Sequence, residues 1–379
     1  MGCWGQMTPL RRLLRVGATW LVALAVVVSL AGAAPAREGD EVAPHLPDRD
    51  FADPAVAAYK MGLIAVATGE KAKRAWQYKP DRKWRDIGPA LLERPAWSTT
   101  GKVWAADIVQ AGDQWLLYYA ITVRGLRRQS RCIGVAVAPT PLDQFRPLGR
   151  HPLVCPKQAR APRAADQVHG AVQPREGVID PSAFVDDNGD RYLLYKTQGD
   201  PATIRILPLD ASGTDKAAGE RSRELVRGPD TIENPVLVRS GPGFVLFTSE
   251  GDFSDCGYRT TWRYAGSLEQ LDRVKRHRLF RQLGDQVCGP GGADLVRLAS
   301  GAELIFFHGW TCYDTPTACE PDFHLRRHSS RRPIRSTYAA ELRWEGTSPR
   351  VGALLPPPAG PPVVEPEPDP PVPPPPPLP

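Results

Sequence analysis

Three acids in this chain precede proline in similar settings: Asp53-Pro54, Asp180-Pro181 and Glu233-Asn234-Pro235. Each opens a unit that reads as a short apolar run, a turn and a second apolar run. If the units close around an axis, acids at matching positions converge, however far apart they lie in sequence. Buried like charges raise one another's pKa, and strain of that kind marks functional sites. Two carboxylates in different protonation states are what glycosidic cleavage requires. One must donate a proton to the leaving oxygen; the other must be ionised to activate water or attack the anomeric carbon. Taken singly, each acid reads as the opener of an ordinary turn before proline. The threefold recurrence favours a site.

Such acids need elements that bring them together. Five units recur: DPAVAAYKMGLIAVATG from Asp53, WAADIVQAGDQWLLYYAIT from Trp104, DPSAFVDDNGDRYLLYKTQ from Asp180, ENPVLVRSGPGFVLFTSEG from Glu233 and GADLVRLASGAELIFFHGW from Gly292. Their turn glycines are read as Gly62, Gly112, Gly189, Gly241 and Gly301, separated by 50, 77, 52 and 60 residues. Glycine and proline interrupt the chain often, and no long stretch keeps a helical period. Hairpins recurring at this spacing predict an all-β fold, a five-bladed β-propeller with four strands per blade. A β-sandwich is the alternative, but it has no reason to repeat in this way. The propeller is expected over residues 48–352.

Other residues are candidates around the acids. Trp104 could stack on a sugar face, with core packing as its alternative. Asp107 and Asp294 hold related positions, where they would bind sugar hydroxyls or cap strands. Phe253, Tyr258, Trp310 and Tyr313 are candidate subsite walls. His308 is either a buried, satisfied histidine or a ligand to a metal or its water. Asp50 and Asp230 are rivals for the catalytic roles, without the proline pattern. Asp186-Asp187-Asn188-Gly189-Asp190 resembles half of a calcium loop but lacks the closing glutamate; a hairpin turn explains it.

The chain has 379 residues and a net charge of +6. Its basic pairs, such as Arg127-Arg128 and Arg326-Arg327, are scattered rather than blocked, which argues against nucleic acid as a partner. Residues 1–36 read as an export signal: Arg11, Arg12 and Arg15, an apolar run from Val16 to Ala33, then small residues for cleavage. A membrane anchor is the alternative. After cleavage the protein is expected to be secreted, monomeric and free of membrane. Six cysteines then remain, an even number that suggests disulfides in an exported chain. Chain proximity favours Cys132–Cys155, Cys256–Cys288 and Cys312–Cys319 among the possible pairings. Residues 356–379, rich in proline, read as an extended polyproline tail.

The units resemble the signature segments of glycoside hydrolase family 43, whose members are five-bladed propellers that cleave arabinans, xylans and related pentose polymers. FADP is similar to the first-blade motif, and the resemblance implies Asp53 as the general base. VWAAD resembles the second-blade segment, with Ala106 where the family has proline. VIDPSAFVDDNGDRYLLY is similar to the third-blade segment and implies Asp180 as the aspartate that modulates the acid's pKa. TIENPVLVRSG resembles the fourth-blade segment and implies Glu233 as the general acid. FFHGW resembles a strand ending in a histidine that in some members touches an axial metal ion or its water, here His308. The chain departs from the family at Gly292, where many members carry histidine. Ser249–Tyr264 is a stretch particular to this chain or its near relatives, and should shape the pocket.

The resemblance implies an inverting hydrolase of arabinofuranosyl or xylosyl linkages, with a polysaccharide or oligosaccharide as partner. Room for the attacking water then requires carboxyl groups about 6.5–9.5 Å apart. No cofactor is required; a structural calcium ion on the axis is compatible with the family. Trp104, Asp107 and Trp310 are the expected substrate contacts. Two other readings stand beside this one. The first is a catalytically silent propeller that binds polysaccharide. The second is a retaining relative that transfers fructosyl or galactosyl units.

Overall fold

The computed structural model describes residues 43–46, 50–79, 82–168, 175–228, 231–312, 317–326 and 333–358. The expected leader, most of the proline-rich tail, Asp48, Asp230 and Tyr313 lie outside them. Each of the five repeated units folds as an antiparallel hairpin, because its apolar runs are too short and too broken by turn residues for a helix. The hairpins are Ala55–Tyr59 with Gly62–Ala67, Trp104–Ala111 with Gln114–Thr122, and Val178–Val185 with Arg191–Thr197. The remaining two are Ile232–Ser240 with Gly243–Glu250 and Cys288–Arg297 with Glu303–Cys312. Further strands extend each hairpin into one of five antiparallel sheets of at least four strands, joined in the second by one short parallel pair. The result is an all-β five-bladed propeller, with the first strand of each unit innermost.

The second strand of each hairpin is buried almost throughout, as in Gly62–Ala67. Apolar residues fill the space between neighbouring blades. Ile64 and Leu117 share one core between blades 1 and 2, Leu116 and Leu193 the next, and Leu194 and Leu246 the third. Phe247 and Phe307 share the fourth, and Leu63 and Phe306 the fifth. These strands face packed neighbours on both sides, so their sequences read as continuous apolar runs rather than alternating ones. The ring is closed by the segment before blade 1. The Leu46 and His45 amides donate to Thr337 O on the third strand of blade 5, and the Thr337 hydroxyl donates to Phe51 O.

Two expectations about turns are settled here. Asp186 Oδ1 accepts from the Asn188 and Asp190 amides, and Gly189 takes φ 87°, so this segment is a hairpin turn. Gly62 is not a turn residue: it begins the second strand of blade 1, and the left-handed turn position is Lys60 (φ 53°). Glycine is required at 62 for space instead, because a Cβ there would sit 2.0 Å from Gln77 O. The disulfides join Cys132–Cys155, Cys256–Cys288 and Cys312–Cys319, the pairs closest in sequence.

The inner strands share one irregularity. Asp53 (φ 54°), Ala105 (φ 38°), Asp180 (φ 54°), Asn234 (φ 47°) and Gly292 (φ 59°) all adopt the left-handed conformation. In blades 2 to 5 the pairing with the second strand slips by one residue at this point, a β-bulge. A non-glycine residue held this way costs roughly 1–3 kcal/mol and persists only where its surroundings fix it. Hydrogen bonds between blades supply that fixing. The Asp53 amide donates to His308 Nδ1, Ala105 to Thr68 Oγ1, Asn234 to Asp180 Oδ2 and Gly292 to Ser249 Oγ.

Two residues further along, carboxylates clip the one remaining junction, between blades 2 and 3, and the junction between blades 5 and 1 a second time. Asp107 Oδ2 accepts the Ala183 amide at 2.6 Å, and Asp294 Oδ2 accepts the Val56 amide at 2.6 Å. Burial pushes the Asp294 carboxyl up to about 8, with the Asp107 charge adding to the effect. A carboxyl raised in the fold keeps a proton that the unfolded chain has already lost. Its stabilisation is therefore complete below the unfolded value of about 3.9 and is lost as pH rises through about 8. Asp294→Asn cannot lose a proton. Thermal melts should therefore show the advantage of the parent over Asp294→Asn shrinking between about pH 5 and about pH 8.5. A constant or growing advantage would remove Asp294 from this role.

Candidate active site

The kinks decide which side chains reach the top of the axis. Asp53 and Asp180 are themselves the left-handed residues of blades 1 and 3, but the equivalent residue of blade 4 is Asn234, not Glu233. Glu233 stands one position earlier, level with Trp104 in blade 2 and Ile179 in blade 3. The matching of Glu233 with the two aspartates in sequence was therefore off by one residue. The three acids nevertheless converge, lining one cavity of about 550 Å³. A second cavity, of about 690 Å³, shares with it Trp104, Ile179, Glu233 and Phe253. Together they form a cleft with Glu233 at its waist. Below it the inner strands close to a constriction of about 30 Å³, bounded by three successive residues from each blade.

The three carboxyl groups sit in different electrostatic settings. Burial works to raise Asp53, but the Arg335 guanidinium at 3.3 Å, His308 and the Thr68 hydroxyl outweigh it and hold its carboxyl below the usual range. His308 accepts the Asp53 amide on Nδ1, and burial lowers its pKa to about 4, so the ring is neutral near pH 7. Arg335 is therefore the cation that keeps Asp53 ionised. Asp180 lies at the other extreme: burial and then the Glu233 charge push it up to about 7, against the pull of Lys196.

Both oxygens of Glu233 are held. Lys196 Nζ is 2.5 Å from Oε2, and the Tyr258 hydroxyl is 2.8 Å from Oε1 and 2.8 Å from Asn234 Oδ1. Tyr258 has one proton to give. When Glu233 is ionised it can donate to Oε1. When Glu233 is protonated on Oε1 it can accept there and turn its own proton to Asn234. Both protonation states thus find partners. Burial opposes the charge on Lys196, but Glu233 and Asp180 outweigh it and raise its pKa. The position of Lys196 follows from the fold: it opposes Ile179 as His308 opposes Gly291 and Ser249 opposes Glu233. At that register each of these side chains reaches into the next blade.

Not every expected contact faces the cleft. Trp104 does, half-buried, with the Arg131 guanidinium stacked 3.1 Å from its ring centroid. Asp107 does not. Its oxygens accept the Ala183 and Ile108 amides, and it borders the constriction and a cavity of about 630 Å³ on the far side. Trp310 is buried and donates to Phe253 O, so it supports the rim from behind rather than forming a wall. The exposed aromatic on the cleft is Phe253, which is 46% accessible. It belongs to the Ser249–Tyr264 stretch, tied down by the Cys256–Cys288 disulfide and by the Leu325 amide on Ser254 O. Tyr258 is buried beneath the cleft and stacks on His308 at 5.8 Å. Asp50 borders the same cavity as Asp53, but its carboxylate is engaged by the Arg335 amide and Lys73. Arg131, Lys196, Thr68 and Arg335 carried no signal in the sequence, because only the register of distant strands brings them here.

A cation at His308 would have to use Nε2, which is buried and has no hydrogen-bond partner. Calcium takes six to eight oxygens. Among the described residues the acidic and histidine side chains close enough to share an ion are Asp252, Asp255 and His324 on the rim, not a group at His308. The side chains around His308 therefore do not make a calcium site by themselves.

A family model described as Glycosyl hydrolases family 43 matches residues 50–347. An α-L-arabinanase from Cellvibrio cellulosa is similar in structure, with a TM-score of 0.61 and 17% identity, over 80% of this chain and 96% of that one. An endo-1,4-β-xylanase from Bacteroides thetaiotaomicron VPI-5482 gives 0.59 and 18%, over 81% and 96%. An exo-1,5-α-L-arabinanase from a bovine ruminal metagenomic library gives 0.58 and 16%, over 81% and 98%. At these identities the likeness is one of fold. Curated proteins supply no match.

The Lys196 contact generates a test. Its ammonium lowers the Asp180 carboxyl, so Lys196→Met should move the titration of Asp180 to higher pH. A shift of roughly one unit is expected for a charge at this range. Carboxyl carbon NMR shifts followed against pH would measure it. An unchanged or lowered midpoint would mean that Lys196 does not act on Asp180.

Proposed function

The chain belongs to glycosyl hydrolase family 43, and from that membership we propose a secreted, inverting enzyme that cleaves α-L-arabinofuranosyl or β-D-xylosyl linkages in plant-type polysaccharides. That it is a glycoside hydrolase follows from the family. The observation that carries the mechanism is the convergence of the three carboxyl groups on one cleft, in different electrostatic settings. Asp53 is held ionised by Arg335, whereas Asp180 is pushed up to about 7 beside Glu233.

In this reading Asp53 is the general base. It takes a proton from a water as that water attacks the anomeric carbon. Glu233 is the general acid and delivers its proton to the departing glycosidic oxygen. Asp180 is a positioning residue: it holds the Asn234 amide, and through it the backbone beside Glu233. Tyr258 keeps Glu233 hydrogen-bonded before and after it loses the proton. One face of the Trp104 ring is covered by Arg131, so the other is the face available to a sugar. These steps use side chains and water alone. Three disulfides support the reading as an exported protein. The pentose linkages are supported by what the similar solved structures are named for.

General acid help matters most when the leaving group is poor. Glu233→Ala should therefore lower polysaccharide cleavage by about 10²–10⁴-fold while sparing aryl-glycosides with acidic phenols. Asp53→Ala should depress both substrates, since water must be activated whatever leaves. Proton NMR of the first-formed product should show inverted anomeric configuration. Retention, or intact polysaccharide cleavage by Glu233→Ala, would overturn the assignment.

A further inference from the structure

The two arms of the cleft are not equivalent with respect to the carboxyl groups. Asp53 and Asp180 border only the 550 Å³ arm, whereas Glu233 stands on the wall that this arm shares with the 690 Å³ arm. On the reading given above, the water activated by Asp53 attacks the anomeric carbon, and Glu233 protonates the oxygen on the other side of the scissile bond. The sugar that is attacked therefore lies in the arm with Asp53. The leaving group extends past Glu233 into the other arm.

The size and ends of the first arm then bear on how the enzyme cuts. A pentose unit has about ten heavy atoms. Even at the ~30 Å³ that each water molecule occupies in the liquid, one unit would fill no more than about 300 Å³. The arm holds about 550 Å³. From the acids it runs outward over blade 2 to Lys102, Arg128 and Gln129, all exposed, so it ends in solvent rather than at a wall. Among the described residues neither Lys102 nor Arg128 is paired with a carboxylate. Their ammonium and guanidinium groups are donors left for hydroxyl and ring oxygens. The other arm also ends on exposed side chains, Arg276 and Asp252. Phe253 and Trp104 flank the waist between the arms.

We propose that this cleft takes a glycan chain through its whole length, with at least two sugar units on the Asp53 side of the scissile bond. The enzyme then cuts within chains and releases oligosaccharides rather than single sugars. The inference rests on the hydrolase reading and adds its mode of attack.

The test uses the full chain on linear arabinan and on linear xylan, with early products separated by anion-exchange chromatography. The first products are expected to contain two or more units, and viscosity should fall well before reducing ends accumulate. Asp53→Ala, which cannot turn over, should bind oligosaccharides of two to six units with affinity that rises with length in calorimetry. The double variant Lys102→Ala/Arg128→Ala should lose about tenfold in kcat/KM on a hexasaccharide, mainly through KM. A monosaccharide as the first product from the polymer, or affinity independent of length, would overturn the proposal and leave the hydrolase reading standing. Failure to hydrolyse either polysaccharide or any aryl pentoside would overturn that reading, and this proposal with it.

Discussion

At the same point in every inner strand the backbone enters the left-handed region, and the top of the molecule is arranged around that kink. The residues there are Asp53, Ala105, Asp180, Asn234 and Gly292, of which glycine alone adopts the conformation without strain. Each kink turns a peptide amide away from its own sheet. Four of the five amides meet an acceptor on the preceding blade. The strain in one blade is thus offset by contact with another, and the blades cannot rotate freely about the axis. The same device carries Asp53 and Asp180 to the mouth of the channel, so ring stability and site geometry have a single origin.

The electrostatics follow from what each kink leaves nearby. Asp53 meets Arg335, which comes from the third strand of blade 5 and so arrives only because the ring closes there. Asp180 meets no arginine at ion-pair distance among the described residues; it has an amide, the charge of Glu233 and the more distant help of Lys196. Two aspartates with the same backbone conformation thus acquire opposite tendencies from the groups that surround them. Different protonation tendencies in neighbouring carboxyl groups are built here from packing rather than from the acids themselves.

The hairpins and their number were legible in the sequence because a β-hairpin is local: alternating apolar runs and turn residues lie within about twenty residues of one another. The disulfides were legible for the same reason. The placement of Glu233 relative to the aspartates was not. A β-bulge shifts register by one residue and leaves no composition signal when its residues are Ala105, Asn234 or Asp180. The resemblance supplied the residue, and the register supplied its place. Asp107 was read, with Asp294, either as a ligand of sugar hydroxyls or as a strand cap. Past the bulge, however, the side chains point toward the other end of the channel. Trp310 looked like a wall because aromatics suit sugars, yet its indole is spent on Phe253 O. Lys196 was invisible because it acts across a blade boundary, and Arg131 because only strand pairing within blade 2 sets it against Trp104; Tyr258 looked like a wall, yet its hydroxyl is spent on Glu233.

Ring closure carries a consequence for how the chain reaches its fold. Leu46 and Phe51 bond to a strand that begins at Ile334. The fifth interblade core, with Leu63 facing Phe306, joins the same two ends. A ribosome must therefore make nearly the whole propeller before blade 1 can acquire its second neighbour. Until then one apolar flank of blade 1 and one of blade 5 stay open to solvent. Contacts this distant in sequence slow folding, and open flanks of this kind favour association with other chains. Delivery of the polypeptide in an unfolded state, followed by closure in one cooperative step, would keep those flanks exposed for the shortest time.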